Sequence, residues 1–241
     1  MPLLEIAANS ISSALAAQEG GADRIELCCS LDEGGLTPSF GVIATVRDRL
    51  RIPIHVLIRP RPGDFLYDEA DCEAMIRDIQ ACVRLGCEGV VIGALDPDGN
   101  IDRTVCRPLI EAAGPLEITF HRAIDAARNP EDALEQVAAL GCHRVLTSGA
   151  CRSAATGADA IARLVARAGD RIDIMAGGGI TPENLVPLAR ATGARHFHAS
   201  AKTVHRSDMR WRNEALAGLD PDHVRTSVLA VRELVAALRS V

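Results

Sequence analysis

Short runs rich in Val, Ile and Leu alternate with amphipathic segments eight times from one end of this chain to the other. No other feature narrows the possible folds as much, because regular β/α alternation produces a parallel sheet with helices on its faces. The runs are Leu3 to Ala7, Arg24 to Cys28, Ile54 to Arg59, Gly89 to Gly93, Leu116 to His121, Arg144 to Ser148, Ile172 to Ala176 and His196 to Ser200. Helix signals stand between them. Ser10 opens a segment that ends at Gly20-Gly21, Asn129-Pro130 reads as an N-cap followed by proline at the first helical position, and a final helix is expected over Pro221 to Leu238. An irregular stretch is expected around Met209 to Arg212. Eight units without a linker predict one closed (β/α)8 TIM barrel over residues 1–241, a single domain. An open Rossmann sheet is the weaker alternative, since no GxGxxG follows an early strand.

Barrel strands are buried on both faces and normally read as unbroken aliphatic runs. Here they carry Glu5, Glu26, His55, Glu117, His121, His196 and His198. Alternation sets Glu5 with Ala7, Glu26 with Cys28, and Glu117 with Thr119 and His121 on one side of their strands. If that side is the interior, acids from the first, second and fifth strands converge with His121 and nearby arginines. The plain reading is an internal ion-pair network that fills the barrel. The functional one is a site at the carboxyl ends of the strands, where such barrels place their chemistry.

Candidates at that end include Arg59 and Arg61, in a loop stiffened by Pro60 and Pro62. They either pair with local acids such as Asp64, Asp68 or Glu69, or hold an anion. Arg122, Thr147 and Ser148 follow later strands, and Gly177-Gly178-Gly179 and His198 to Ser200 occupy the two loops that bind phosphate in many barrels. Together they predict an anionic small-molecule ligand, phosphorylated or carboxylated, with Glu26 and His121 as hypothetical acid and base. A lyase, isomerase or hydrolase is one form of that prediction. A metal site is the rival, built on His196 and His198 with His121, Glu26 or Cys28 as third ligand, or on Cys28 alone as a soft ligand for copper(I).

Other classes fit poorly. A net charge of −6 and an aromatic content of 2% give neither the basic footprint nor the stacking rings that nucleic acid requires, and offer nothing to an anionic membrane. No charged segment followed by an apolar one reads as a secretory signal, so a cytoplasmic location is expected, with the eight cysteines as thiols.

These residues carry a resemblance. Gly21-Ala-Asp-Arg-Ile-Glu-Leu-Cys28, Glu33-Gly-Gly-Leu-Thr-Pro-Ser39, Ile58-Arg-Pro-Arg61 with Gly63-Asp-Phe65, Thr119-Phe-His-Arg122, Leu146-Thr-Ser-Gly149 and Gly177 to Gly179 resemble the CutC family of copper homeostasis proteins over essentially the whole chain. The resemblance implies a TIM barrel, a cytoplasmic protein, a homodimer or higher homo-oligomer, and copper as the associated metal. It also implies copper ligation by cysteines near the ends of the first two strands. Here Cys28 is kept, while Ala7 and Ala8 stand where relatives often carry cysteine.

Overall fold

A computed structural model describes residues 2–213, 215, 218 and 220–241. Eight parallel strands close into a barrel in sequence order, β1 (Leu3–Ala8), β2 (Arg24–Leu27), β3 (Ile54–Leu57), β4 (Gly89–Ile92), β5 (Glu117–Phe120), β6 (Arg144–Thr147), β7 (Asp173–Gly177) and β8 (His196–Ala199), the last pairing back to the first. The helices that follow them are α1 (Ile11–Gly20), α2 (Phe40–Arg49), α3 (Glu69–Leu85), α4 (Arg103–Ala113), α5 (Pro130–Ala139), α6 (Ala158–Ala168), α7 (Pro182–Thr192) and α8 (Val228–Leu238). The expected TIM barrel is therefore present.

Local signals set the helix ends. Ser10 accepts a hydrogen bond from the Ser13 amide, and Gly21 closes α1 at φ 92°, a left-handed value that glycine tolerates without a Cβ penalty. Asn129 accepts from the amides of Glu131 and Asp132, with Pro130 in the first turn of α5. One helix boundary differs from expectation. The last helix starts at Val228, because His223–Thr226 forms a strand, β10, antiparallel to β9 (Lys202–His205). The alternating His-Val-Arg-Thr pattern suits a two-stranded ribbon, and that pairing outweighs the helical reading of the segment from Pro221.

The apolar core lies between barrel and helices. Residues facing outward from the strands, among them Leu4, Ile6, Ile25, Leu27, Ile54, Val56, Phe120 and Phe197, are buried there against Ile43, Met75, Ile79, Leu109, Leu185 and Val231 of the helices. The inward positions are different in kind. Glu5, Arg24, His55, Thr119, Arg144 and His196 are all buried polar or charged groups. The same period of two that turns one strand face to the helices turns these side chains inward, where each must find a partner.

Arg144, Thr119 and His196 do so in a network near the amino ends of the strands. Arg144 donates to Glu117 and Thr119, at 3.2 Å each, and to His196 at 3.3 Å. His55 lies 3.6 Å from Glu117, and His196 lies 3.5 Å from Asp173. Glu117 thus belongs to this lower tier, half-exposed at the start of its strand, and does not join Glu5 and Glu26 of β1 and β2 as the alternation had suggested. Alternation gives the side of the strand, but height in the barrel depends on where along the strand a residue falls. Burial pulls the His55 imidazole down to about 4, so it is neutral at pH 7.

Candidate functional site

Above the lower tier, the barrel interior opens into a cavity of about 520 Å³ at the carboxyl ends of the strands. Its wall includes Glu26, Arg59, His121, Arg122, His198 and Ser200, with Gly178 and Gly179 at the β7 loop. A volume of this size suits a small metabolite.

Arg59 and Arg61, two residues apart, have opposite fates. Arg61 is tied up outside the cavity. It donates to Asp71 at 3.0 Å and to Asp64 at 2.8 Å, and its guanidinium lies over the Tyr67 ring. The local-acid reading is therefore right for Arg61, and its assignment to anion binding is corrected. Arg59 turns inward and is buried. Three backbone carbonyls hold it, those of Glu33, Gly35 and Gly63 at 2.8–2.9 Å, and Phe65 packs beneath it. None of these partners carries a charge, and Nε finds no described partner at all. A buried guanidinium fixed by neutral dipoles keeps its positive charge available to the cavity.

His121 follows β5 directly and caps the 3-10 turn of Arg122–Ala126, its Nδ1 accepting from the Ala123 amide at 3.1 Å. With Nδ1 serving as acceptor, the proton of the neutral ring belongs on Nε2, which is buried with no described partner. Burial, aided by the Arg59 charge, pulls this imidazole down to about 3, so the ring is neutral across the physiological range. Phe65 packs on it with centroids 4.9 Å apart. Gly93 provides the space on the other side. A methyl group there would overlap the ring at Cε1 and Nδ1. Gly93→Ala is expected to lower stability by about 1–3 kcal/mol through overpacking, and to displace His121, measurable as a lower thermal midpoint and weaker ligand binding.

Glu26, His198 and Glu5 form a line running down from the cavity. His198 Nε2 is 3.7 Å from Glu26, and its Nδ1 is 2.8 Å from Glu5, which is also paired with Arg24. Burial pulls the His198 imidazole down, but the flanking carboxylates of Glu26 and Glu5 outweigh it, and the net shift is upward. Burial also opposes ionisation of Glu5, yet Arg24 and His198 hold its carboxyl well below the usual range. Glu26 lacks a partner of that strength. Burial pushes its carboxyl up to about 7, and the negative charge of Glu5 adds to the effect.

The remaining candidates separate. Thr147 and Ser148 do not line the cavity. Their side chains hold Asp125, which also accepts from the amides of Ser148 and Ala150 and from Arg122 at 2.8 Å. Asp125 lines the cavity and fixes the loop after β6, a role the sequence reading missed, although an acid three residues after Arg122 on one turn was the available signal. Gly177 also stands outside the cavity wall. Its missing side chain makes room for Leu146 and His198. Arg24 and Arg144 were missed as interior residues as well, even though the alternation that places Glu26 inward places Arg24 there too.

The metal-ligand sets need correcting. His196 is engaged one tier below by Arg144 and Asp173, and does not share a site with His198. Among the described residues, the donors that do approach within 4.8 Å of one another are Glu5, Glu26 and His198. Arg24 already supplies positive charge to that set through Glu5. Cys28 faces inward as expected but packs with Leu57, Val91 and Leu31 under Gly35, outside the cavity wall. Burial pushes its thiol well above the ordinary value, with Glu26 adding to the shift. A cysteine ligates copper(I) as the thiolate. With Ala7 and Ala8 on the adjacent strand, the residues here do not fit such a centre.

A parallel (β/α)8 barrel with a charged interior and a ligand-sized cavity at its carboxyl mouth defines the class of protein. The chain belongs to the CutC family. The family profile matches residues 2–203, and the CutC family protein of Xanthomonas campestris pv. campestris (strain 8004) is 54% identical over 237 residues, covering 98% of this chain and 99% of its own length. A similar solved structure is that of a Streptococcus agalactiae protein named as a CutC protein of copper homeostasis, with a TM-score of 0.80 and 33% identity, spanning 83% of this chain and 99% of the other. Phosphoribosyl anthranilate isomerase of Thermotoga maritima (TM-score 0.62, 14% identity, all of both chains) shares the fold alone. So does thiamine phosphate pyrophosphorylase of Pyrococcus furiosus (TM-score 0.63, 15% identity, 99% of this chain and 96% of that one). No helix among the described residues is long and apolar enough to cross a membrane.

Proposed function

We propose that the cavity binds a small anionic metabolite, carboxylated or phosphorylated, and performs proton-transfer chemistry on it, in the manner of a lyase or isomerase. One observation carries this reading: Arg59 is buried in the cavity wall and held only by carbonyl dipoles, so its charge awaits a partner. An anion there completes an ion pair whose geometry is already fixed. Arg122 and the Gly178–Gly179 loop flank the same space.

Glu26, with a carboxyl near 7, is suited to take a proton from carbon adjacent to a carbonyl and return it. The Nε2 proton of neutral His121 is suited to hydrogen-bond the oxygen on which charge develops. Copper homeostasis belongs to the name of the Streptococcus agalactiae relative, and the surroundings of Cys28 offer it no support in this chain.

Mass spectrometry of small molecules co-purifying with the protein, followed by thermal-shift titration with sulfate, phosphate and simple carboxylates, tests the binding. A rise in midpoint beyond that given by chloride at equal ionic strength is expected. No co-purifying anion and no such rise overturns the proposal. For the chemistry, the recovered ligand in D2O is expected to gain deuterium at carbon at a rate that rises with pH through about 7, as the Glu26 carboxyl ionises. Glu26→Gln is expected to slow this by about 10²–10⁴-fold.

A further inference from the structure

The chain contains seven histidines. Five are engaged within or beside the barrel by protein partners. The other two, His205 and His223, stand directly opposite each other on the β9–β10 ribbon. Their rings lie with centroids 5.0 Å apart and planes at 66°.

We propose that His205 and His223 form a two-imidazole site for a divalent transition ion of the Zn²⁺ type. When two imidazoles bind one ion, each nitrogen is about 2.0–2.1 Å from it, which sets the ring centroids about 5 Å apart at a near-tetrahedral angle. The observed centroid spacing of 5.0 Å equals this separation. Imidazole is a preferred donor for such borderline ions.

The scaffold that holds the pair is independent of any ion. The ladder of Lys202–His205 with His223–Thr226 fixes the register, the Thr226 amide donates to Ser13 of α1 at 3.0 Å, and Ser227 caps α8. The two histidines close the ladder at the end where the chain leaves β9 and enters β10, so a shared ion would join the two strands at that end. His205 also borders a second cavity, of about 410 Å³, between the ribbon and α1, with Glu19 and Arg225 in its wall. Two protein ligands leave coordination positions open, and this adjoining space lets an external donor occupy them. Both histidines lie beyond residues 2–203, the span that the family profile matches.

Edge-on packing of two rings is the competing explanation, and it requires no ion. Isothermal calorimetry of the chelator-stripped full chain with Zn²⁺ separates the two. The wild type is expected to show a site that His205→Ala and His223→Ala each weaken at least tenfold, with the double variant no weaker than either single one, because both rings serve the same ion. Zn²⁺ is also expected to raise the thermal midpoint of the wild type and not of the variants, whose midpoints without ion should match the wild type. Unchanged Zn²⁺ affinity in both single variants, or loss in only one of them, overturns the site.

Discussion

Glu5→Ala is expected to destabilise the protein by about 3–5 kcal/mol, the cost of leaving a buried charge unpaired. Glu5 is fully enclosed, and its carboxylate is the shared counter-ion of Arg24 and His198. Removing it strands a buried guanidinium whose other side-chain contact is the sulfur of Met175, 3.6 Å away. For a chain of this length the loss corresponds to a drop in thermal midpoint of roughly 6–20 °C. The sign of the pH dependence follows from the depressed carboxyl. A group whose folded pKa lies below its unfolded value stabilises fully above the unfolded value, near about 4.3 for glutamate, and loses that contribution as pH falls towards the folded one. The difference between wild type and variant should therefore be full at neutral pH and shrink below about pH 4. The double change Glu5→Leu with Arg24→Met removes both charges, and should recover much of the loss. Unfolding curves for the three proteins measure this directly. A single-variant loss under about 1 kcal/mol would show that the pair is not structural.

Arg59→Met is expected to weaken the cavity's anion by about two to three orders of magnitude, in line with the 2–5 kcal/mol lost when one member of a buried charge pair is removed. Arg59→Lys keeps the charge but loses the fork. Its ammonium cannot span the carbonyls of Glu33, Gly35 and Gly63 at once, so most of the loss should remain. Arg61→Met serves as the comparison. Its guanidinium is committed to Asp64 and Asp71 outside the cavity, and anion affinity should change less than about threefold, within the small range of exposed ion pairs. Titration of the co-purified ligand into the three variants distinguishes these outcomes. Equal losses from Arg59→Met and Arg61→Met would mean that the loop as a whole, and not one buried charge, governs binding.

The contrast between these two arginines marks how far the sequence could be read. Eight β runs, the caps at Ser10 and Asn129, and the inward alternation of Glu5, Glu26 and His121 were legible because they depend on period and on neighbours a few residues away. The start of the last helix was not, since β10 exists only through its pairing with β9, nearly twenty residues earlier. Arg59 and Arg61 look equivalent in a Pro-Arg-Pro frame, and only the path of the loop sends one into the barrel and the other to α3. His196 and His198 likewise share a strand face, yet one closes the lower network and the other reaches Glu26.

The sequence alone determined the barrel, its family and the polar character of its interior, because hydrophobic period, capping and turn chemistry are local and each strand declares its own two faces. Tertiary structure alone decided which charges meet. The height of each residue within the closed barrel is set by the register between strands distant in the chain. That register neutralises Glu5 with Arg24, leaves Glu26 near 7, and leaves Arg59 at the cavity held by backbone carbonyls, in no ion pair among the described residues.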